Sequence, residues 1–145
     1  MARRGPVKIL IIGCGRVGSR VARDLSDQGN EVTIVDWKAS SFARFAARGV
    51  LDEGFKGEVL VGDGTDVELL RRAGIEQADV FIAVTEGDNR NIMAAQIAQH
   101  VFKVQRVVCR IYDPIREQAY RKLGLHTLCP TTQGAAAIRE MVLEA

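Results

Sequence analysis

Three glycines at a fixed spacing carry the clearest chemistry in this chain. Gly13-Cys14-Gly15-Arg16-Val17-Gly18 directly follows an apolar run and opens an amphipathic stretch. In that setting Gly13 permits a tight turn, Gly15 lets backbone approach a pyrophosphate, and Gly18 lets a helix pack closely on a strand. The free N–H groups at the helix start then hold phosphate oxygens. Asp36 ends the next apolar run, 18 residues beyond Gly18. A carboxylate there accepts both hydroxyls of an adenosine ribose. Its charge disfavours a 2′-phosphate and hence NADP, a preference that the neighbouring Lys38 tempers. Trp37, beside Asp36, joins the candidate binding set.

Arg16 is more than the glycine pattern needs. It either reaches a terminal phosphate or is a solvated cation in a first turn whose dipole mildly disfavours it. Gly62-Asp63-Gly64-Thr65-Asp66 follows a third run and puts polar groups where an adenine edge would lie, or forms a helix-capping turn. A fourth run empties into Thr85-Glu86-Gly87-Asp88-Asn89-Arg90-Asn91, on the edge where ligands of such sheets bind. Thr85, Asp88 and Asn91 are the candidates there. Arg110 interrupts an apolar strand, where an unpaired charge is costly. It pairs with an acid, or faces the ligand or a second subunit.

Catalytic groups do not accompany this cradle. An oxidoreductase needs a proton carrier and a substrate pocket beside its cofactor. Tyr112 and Tyr120 are followed four residues on by Arg116 and Gly124, so no Tyr-x-x-x-Lys pair occurs. His100 at a helix end and His126 at a strand start read as structural. The serines, Ser19, Ser26, Ser40 and Ser41, all precede residue 42, and neither a Walker lysine nor a metal-ligand cluster is present. A binding domain is therefore expected, not an enzyme. The alternative is the cofactor-binding half of an NAD-dependent oxidoreductase.

The elements that must position these groups follow from hydrophobic period. Six apolar runs, Val7–Ile12, Glu31–Val35, Glu58–Val61, Asp79–Val84, Gln105–Ile111 and His126–Cys129, alternate with helical stretches. That alternation predicts an α/β fold: a single-domain, Rossmann-like, doubly wound parallel sheet of order 3-2-1-4-5-6. Val17, Val21, Ala22 and Leu25 share one face of the first helix, which Gly29-Asn30 stops. Asp66 caps a helix from Val67 to Ala73 that ends at Gly74, and Asp88 or Asn89 caps one running to about Val101. Pro114 opens a helix ending at Leu123-Gly124, and Thr131 or Thr132 caps the last. Residues 48–57, with three glycines, read as a loop free to move. Ala137, Ile138, Met141 and Val142 form a stripe for this sheet, a partner or a downstream domain.

The 145 residues suit one domain, and 47% apolar with 26% charged residues is ordinary globular composition. A formal charge of +2, with Ala2-Arg3-Arg4 the only tail, argues against a nucleic-acid binder. No apolar run approaches the roughly 20 residues that span a bilayer, and no signal peptide is legible, so the cytoplasm is expected. Cys14, Cys109 and Cys129, odd in number and widely spaced, read as small buried hydrophobes.

Beyond the glycine pattern, stretches along nearly the whole chain carry a family resemblance. They are Ile11–Gly18, Val35-Asp36, Val61–Asp66, Ala73-Gly74-Ile75 through Ala78-Asp79, Ile82–Thr85 with Asp88, Asn89, Asn91 and Ile92, and Arg110–Pro114 leading to Leu123-Gly124. On these the sequence resembles the N-terminal domain of RCK proteins, the regulators of potassium conductance, also called the Trk-type NAD-binding or KTN domain. The resemblance implies binding of NAD(H) or ATP/ADP, assembly as homodimers and often rings, and gating of a membrane-embedded potassium channel or transporter subunit. It implies a cytoplasmic location peripheral to the membrane's inner face. By the same resemblance Gly13, Gly15, Arg16 and Gly18 hold phosphates and Asp36 the ribose, with Val17 in the same cofactor-binding loop. Asp63 and Thr65 take the adenine side, with Gly64 between them in the binding set, Thr85 the crevice wall, and Arg110 the phosphate or dimer side. The family's C-terminal sensing domain is not in these 145 residues, so an excised domain or a minimal subunit is expected. Residues 48–57 look longer than the family's usual link.

Overall fold

A computed structural model describes residues 5–144; the basic Arg3-Arg4 segment and Ala145 lie outside the described residues. The apolar runs form six strands and the stretches between them form helices, in strict alternation. These are β1 (Lys8–Ile12), α1 (Arg16–Asp27), β2 (Glu31–Asp36), α2 (Ala39–Ala47), β3 (Glu58–Val61) and α3 (Val67–Arg72). A short 3-10 turn, Ile75–Gln77, leads to β4 (Val80–Ala83) and α4 (Asp88–Gln96), which ends in a π turn over Ile97–Val101. Then come β5 (Arg106–Arg110), α5 (Pro114–Lys122), β6 (His126–Leu128) and α6 (Pro130–Leu143). All strand pairs are parallel, and the sheet order is β3-β2-β1-β4-β5-β6, as the sequence predicts.

Alternate residues of each strand feed two separate cores, because successive side chains point to opposite faces. Ile9, Ile11, Val32 and Ile34 pack with Ala22, Phe45 and Leu51 under α1 and α2. Leu10, Ile12, Val35 and Phe81 pack with Leu69, Leu70, Ile92, Ala95 and Ile111 under the other helices. The three cysteines are buried, as expected.

Helix ends follow the local signals with two corrections. The Gly29 N–H donates to Ser26 O and the Asn30 N–H to Leu25 O, with Gly29 at φ +91°. That closes α1 in the left-handed conformation glycine tolerates. Asp66 accepts from the Glu68 N–H, and Asp113 caps α5 at Pro114 by accepting from Ile115. Asp88 does not cap α4: Gly87 is its N-cap, and the Asp88 carboxylate instead accepts the Tyr112 and Asp113 N–H groups at 2.8 and 3.0 Å. The last helix starts at Pro130 after Cys129, ahead of Thr131 and Thr132. On the predicted face of α1, Ala22 is buried and Val21 and Leu25 pack against the core, whereas Val17 is 43% exposed.

The loop of residues 48–57 is tied down. Arg23 donates to Asp27, to Asp52 at 2.9 Å and to the Val50 carbonyl at 3.0 Å. Leu51 is buried beneath it.

Candidate functional site

The carboxyl ends of β1, β2 and β4 open into a crevice of about 360 Å³. Gly13 and Gly15 form its floor, Asp36, Trp37 and Lys38 one wall, and Thr85, Glu86, Arg90 and Arg110 the other. Ser40, Ser41 and Arg44 from α2 complete the rim. Lys38, Arg44, Arg90 and Arg110 outnumber Asp36 and Glu86, so the crevice favours anions. A groove of similar size, about 370 Å³, lies at the opposite strand ends near Lys8, Lys56 and Arg72, and none of the candidate binding residues lines it.

The glycine loop is shaped by close backbone contacts. Gly13 sits at φ +115°, and a Cβ there would stand 2.5 Å from the Val84 carbonyl oxygen. A Cβ on Gly18 would collide with the Gly13 carbonyl, so α1 can start this close to β1 only with glycine there. Gly15 meets nothing within 4 Å on its open side. Space therefore remains above the loop for a group that approaches backbone.

Asp36 is held by backbone on both oxygens. The Cys14 N–H donates to Oδ1 and the Lys38 N–H to Oδ2, each at 3.0 Å. The carboxylate is thus oriented while each oxygen keeps a free lone-pair direction for a hydroxyl. Burial, with Asp36 nearby, pushes the Cys14 thiol up to about 12. It stays protonated at neutral pH and is no nucleophile.

Arg110 is 7% exposed and finds no carboxylate among the described residues. Its Nη2 donates to the carbonyls of Val84 and Thr85 at 3.0 and 3.1 Å, and its guanidinium lies 4.8 Å from the Tyr112 ring centroid. Its Nε is buried without a partner. Of the three readings of Arg110, pairing with an acid is the one the structure does not support. A buried donor without a partner is costly, and it sets Arg110 apart from the other cations of the crevice.

Asn91 and Asp88 build the wall without lining it. Asn91 is fully buried; its Oδ1 accepts from Thr85 N and Oγ1 at 2.7 and 2.6 Å, and its Nδ2 donates to Thr85 O and Arg110 O at 3.0 Å. Its hydrogen-bonding capacity is spent inside the protein, locking the end of β4 to the end of β5.

The remaining candidates are more scattered. Arg16 and Val17 are exposed in the first turn of α1, outside the crevice lining. Asp63 is exposed, and its Oδ1 accepts from the Thr65 N–H and hydroxyl at 2.9 and 2.7 Å. Those bonds, with Arg90 nearby, hold its carboxyl below the usual range. Gly64 lines a small recess beside Asp36 and Trp37. Sequence reasoning gave no role to Arg44, Arg90, Ser40 and Ser41; only the docking of α2 and α4 on the sheet brings them to the crevice.

Fold and crevice together define a Rossmann-type α/β domain built on the dinucleotide-binding plan. The TrkA-N domain profile matches residues 9–130, and the chain belongs to that family. It is 46% identical over 120 residues to the Trk system potassium uptake protein TrkA of Streptomyces coelicolor, an alignment covering 83% of this chain and 51% of that protein. The chain thus spans about half the length of that curated relative. Among solved structures, GsuK bound to ADP superposes with a TM-score of 0.77 at 25% identity, over 94% of this chain and 34% of that one. The TrkA-N domain of an Escherichia coli inner membrane protein superposes with a TM-score of 0.77 over 98% of this chain and all of that one; at 17% identity this is a likeness of fold.

Proposed function

We propose that this chain is the nucleotide-sensing part of a cytosolic regulator that gates a membrane potassium channel or transporter. The observation that carries the nucleotide reading is a cationic crevice floored by Gly13 and Gly15, with the Asp36 carboxylate oriented on its wall by two backbone N–H groups. The relatives named as potassium uptake proteins, and GsuK with its ADP, support the transport side of the reading.

The ligand is an adenine nucleotide, NAD(H) or ATP/ADP. The N–H groups at the start of α1 and the open side of Gly15 hold its phosphates, and Asp36 accepts its ribose hydroxyls. Arg110 supplies a donor to a phosphate or ribose oxygen. Arg16, in the exposed first turn of α1, engages a terminal phosphate that some ligands carry and others lack.

Such a domain regulates only if two ligands, or ligand and empty site, favour different arrangements of paired domains. A nucleotide with equal affinity for both arrangements shifts nothing. The domain works as a homodimer or a higher ring, and the exposed stripe of Ile138, Met141 and Val142 on α6 supplies an apolar contact surface. The membrane partner carries the potassium; this chain binds and signals without catalysis, at the inner face of the membrane. Among the described residues no cluster of acids, histidines and cysteines could hold a metal ion, and no helix is long and apolar enough to cross a membrane.

A melting panel of ATP, ADP, NAD, NADH and NADPH tests the reading. A ligand at 100 times its Kd adds about 2.7 kcal/mol, several degrees for a domain of this size. Unequal shifts within the ATP/ADP or NAD/NADH pair, with little from NADPH, are expected. A melt that none of the five moves removes the nucleotide reading.

A further inference from the structure

Beside Asp36 lies a recess of about 10 Å³, walled by Trp37, Gly62, Gly64, Thr85 and Arg90. It adjoins the main crevice at Asp36, Trp37 and Arg90, where a ribose on Asp36 would bring its purine, and its volume holds about one water. Most of the remaining wall is backbone or buried side chain, such as Ile12 and Val35. Trp37 and Arg90 are the long, exposed side chains of the lining.

Arg90 is held there weakly. Its guanidinium carbon lies 5.7 Å from the Trp37 ring centroid, and its Nη1 stands 3.7 Å from Asp63 Oδ1, with both side chains about half exposed. It also sits in the first turn of α4, where the helix dipole disfavours a cation. Trp37 itself is 60% exposed, an unusual amount of aromatic surface to leave in water. The guanidinium therefore bridges the ends of β2 and β3 across the recess, closing it with contacts that are easily exchanged.

We propose that Arg90 and Trp37 form a base clamp, in which a purine displaces the Arg90 guanidinium from Trp37 and stacks between the two. The inference rests on the nucleotide reading and adds to it a residue and a role. Stacking of a base on an aromatic ring and beneath a planar cation is favourable on both faces and grows with ring size. The clamp thus makes the site respond to the base as well as to the phosphates.

Trp37 is the single tryptophan, so its emission reports the clamp directly. ADP and UDP would be titrated into the 145-residue chain and into Arg90→Ala and Arg90→Lys, with Kd from calorimetry and quenching from fluorescence. ADP is expected to quench Trp37, and Arg90→Ala to loosen ADP about tenfold but UDP no more than about threefold. Arg90→Lys keeps the charge without the plane and should recover only part of the loss. Equal losses for ADP and UDP, full recovery in Arg90→Lys, or an unchanged ADP Kd would each overturn the clamp. If the native chain binds no ADP, the nucleotide reading itself falls and takes the clamp with it. Melting of the unliganded variants within a degree or two of the native chain confirms that folding is intact.

Discussion

Backbone treats the two charged groups Asp36 and Arg110 of the crevice wall differently, donating to the first and accepting from the second. Asp36 has both oxygens oriented by N–H donors, so removing its charge leaves those donors to water and costs binding more than folding. Asp36→Ala should loosen ADP at least about tenfold and reduce discrimination against NADPH, measured by titration of both ligands. Arg16→Ala should leave the melting temperature unchanged, since the side chain is exposed, while narrowing the difference between ATP and ADP affinities. Equal discrimination in variant and native chain would remove Arg16 from the mechanism. Asn91 belongs to the opposite class. Asn91→Ala strips the Thr85 N–H and the Arg110 carbonyl of their Asn91 partner in a dry interior, while the Thr85 carbonyl keeps Arg110, and should cost about 2–4 kcal/mol in urea unfolding. The tight turn at Gly13 and the close approach at Gly18 were legible in the sequence because they are local backbone requirements. Asn91 was read as a crevice residue because spacing places it on the right edge; only side-chain packing reveals that it faces inward.

At the scale of elements, β6 and α5 are joined by one buried acid. Glu117 is 2% exposed, accepts from the Thr127 hydroxyl across to β6, and pairs with Arg121 one turn on at 2.5 Å. These bonds, that from Thr127 first, hold its carboxyl below the usual range. A carboxylate with a depressed folded pKa contributes stability that is present above the unfolded value, about 4.3, and is lost as pH falls through the folded value. Glu117→Gln should therefore destabilise the chain by about 1–2 kcal/mol at pH 7, with the gap from native closing below about pH 4 in parallel melts. The thiols give a second check: burial pushes Cys14 and Cys109 up to about 12, so a thiol reagent at pH 8 should find them only after denaturation. Strand order was readable because six apolar runs alternate with amphipathic ones and crossovers have one hand. Element boundaries at α4 and α6 were not, because Asp88 is recruited by β5's exit and Pro130 starts α6 ahead of the threonines.

On the scale of the whole molecule, α6 stands apart. It buries none of its residues, and Ile138, Met141, Val142 and Leu143 are each more than 60% exposed along it. An apolar strip of that kind is the surface through which the proposed dimer or ring would meet. Met141→Lys should shift sedimentation toward monomer, while the thermal shift with ADP persists. Loss of that shift together with the dimer would mean the crevice depends on assembly. The sequence named packing on the sheet as one fate for this stripe; the sheet's two faces are already covered by the other helices, which leaves the strip outward.

The central place of β1 has a consequence for biosynthesis. β1 pairs with β2 on one side and β4 on the other, yet residue 80 leaves the ribosome some 70 residues after residue 8. At about 5–20 residues per second, the Ile9–Ile12 edge waits several seconds for its second neighbour. During translation that edge is the segment most in need of a chaperone, and a nascent chain arrested before residue 84 should stay protease-sensitive however long it is left.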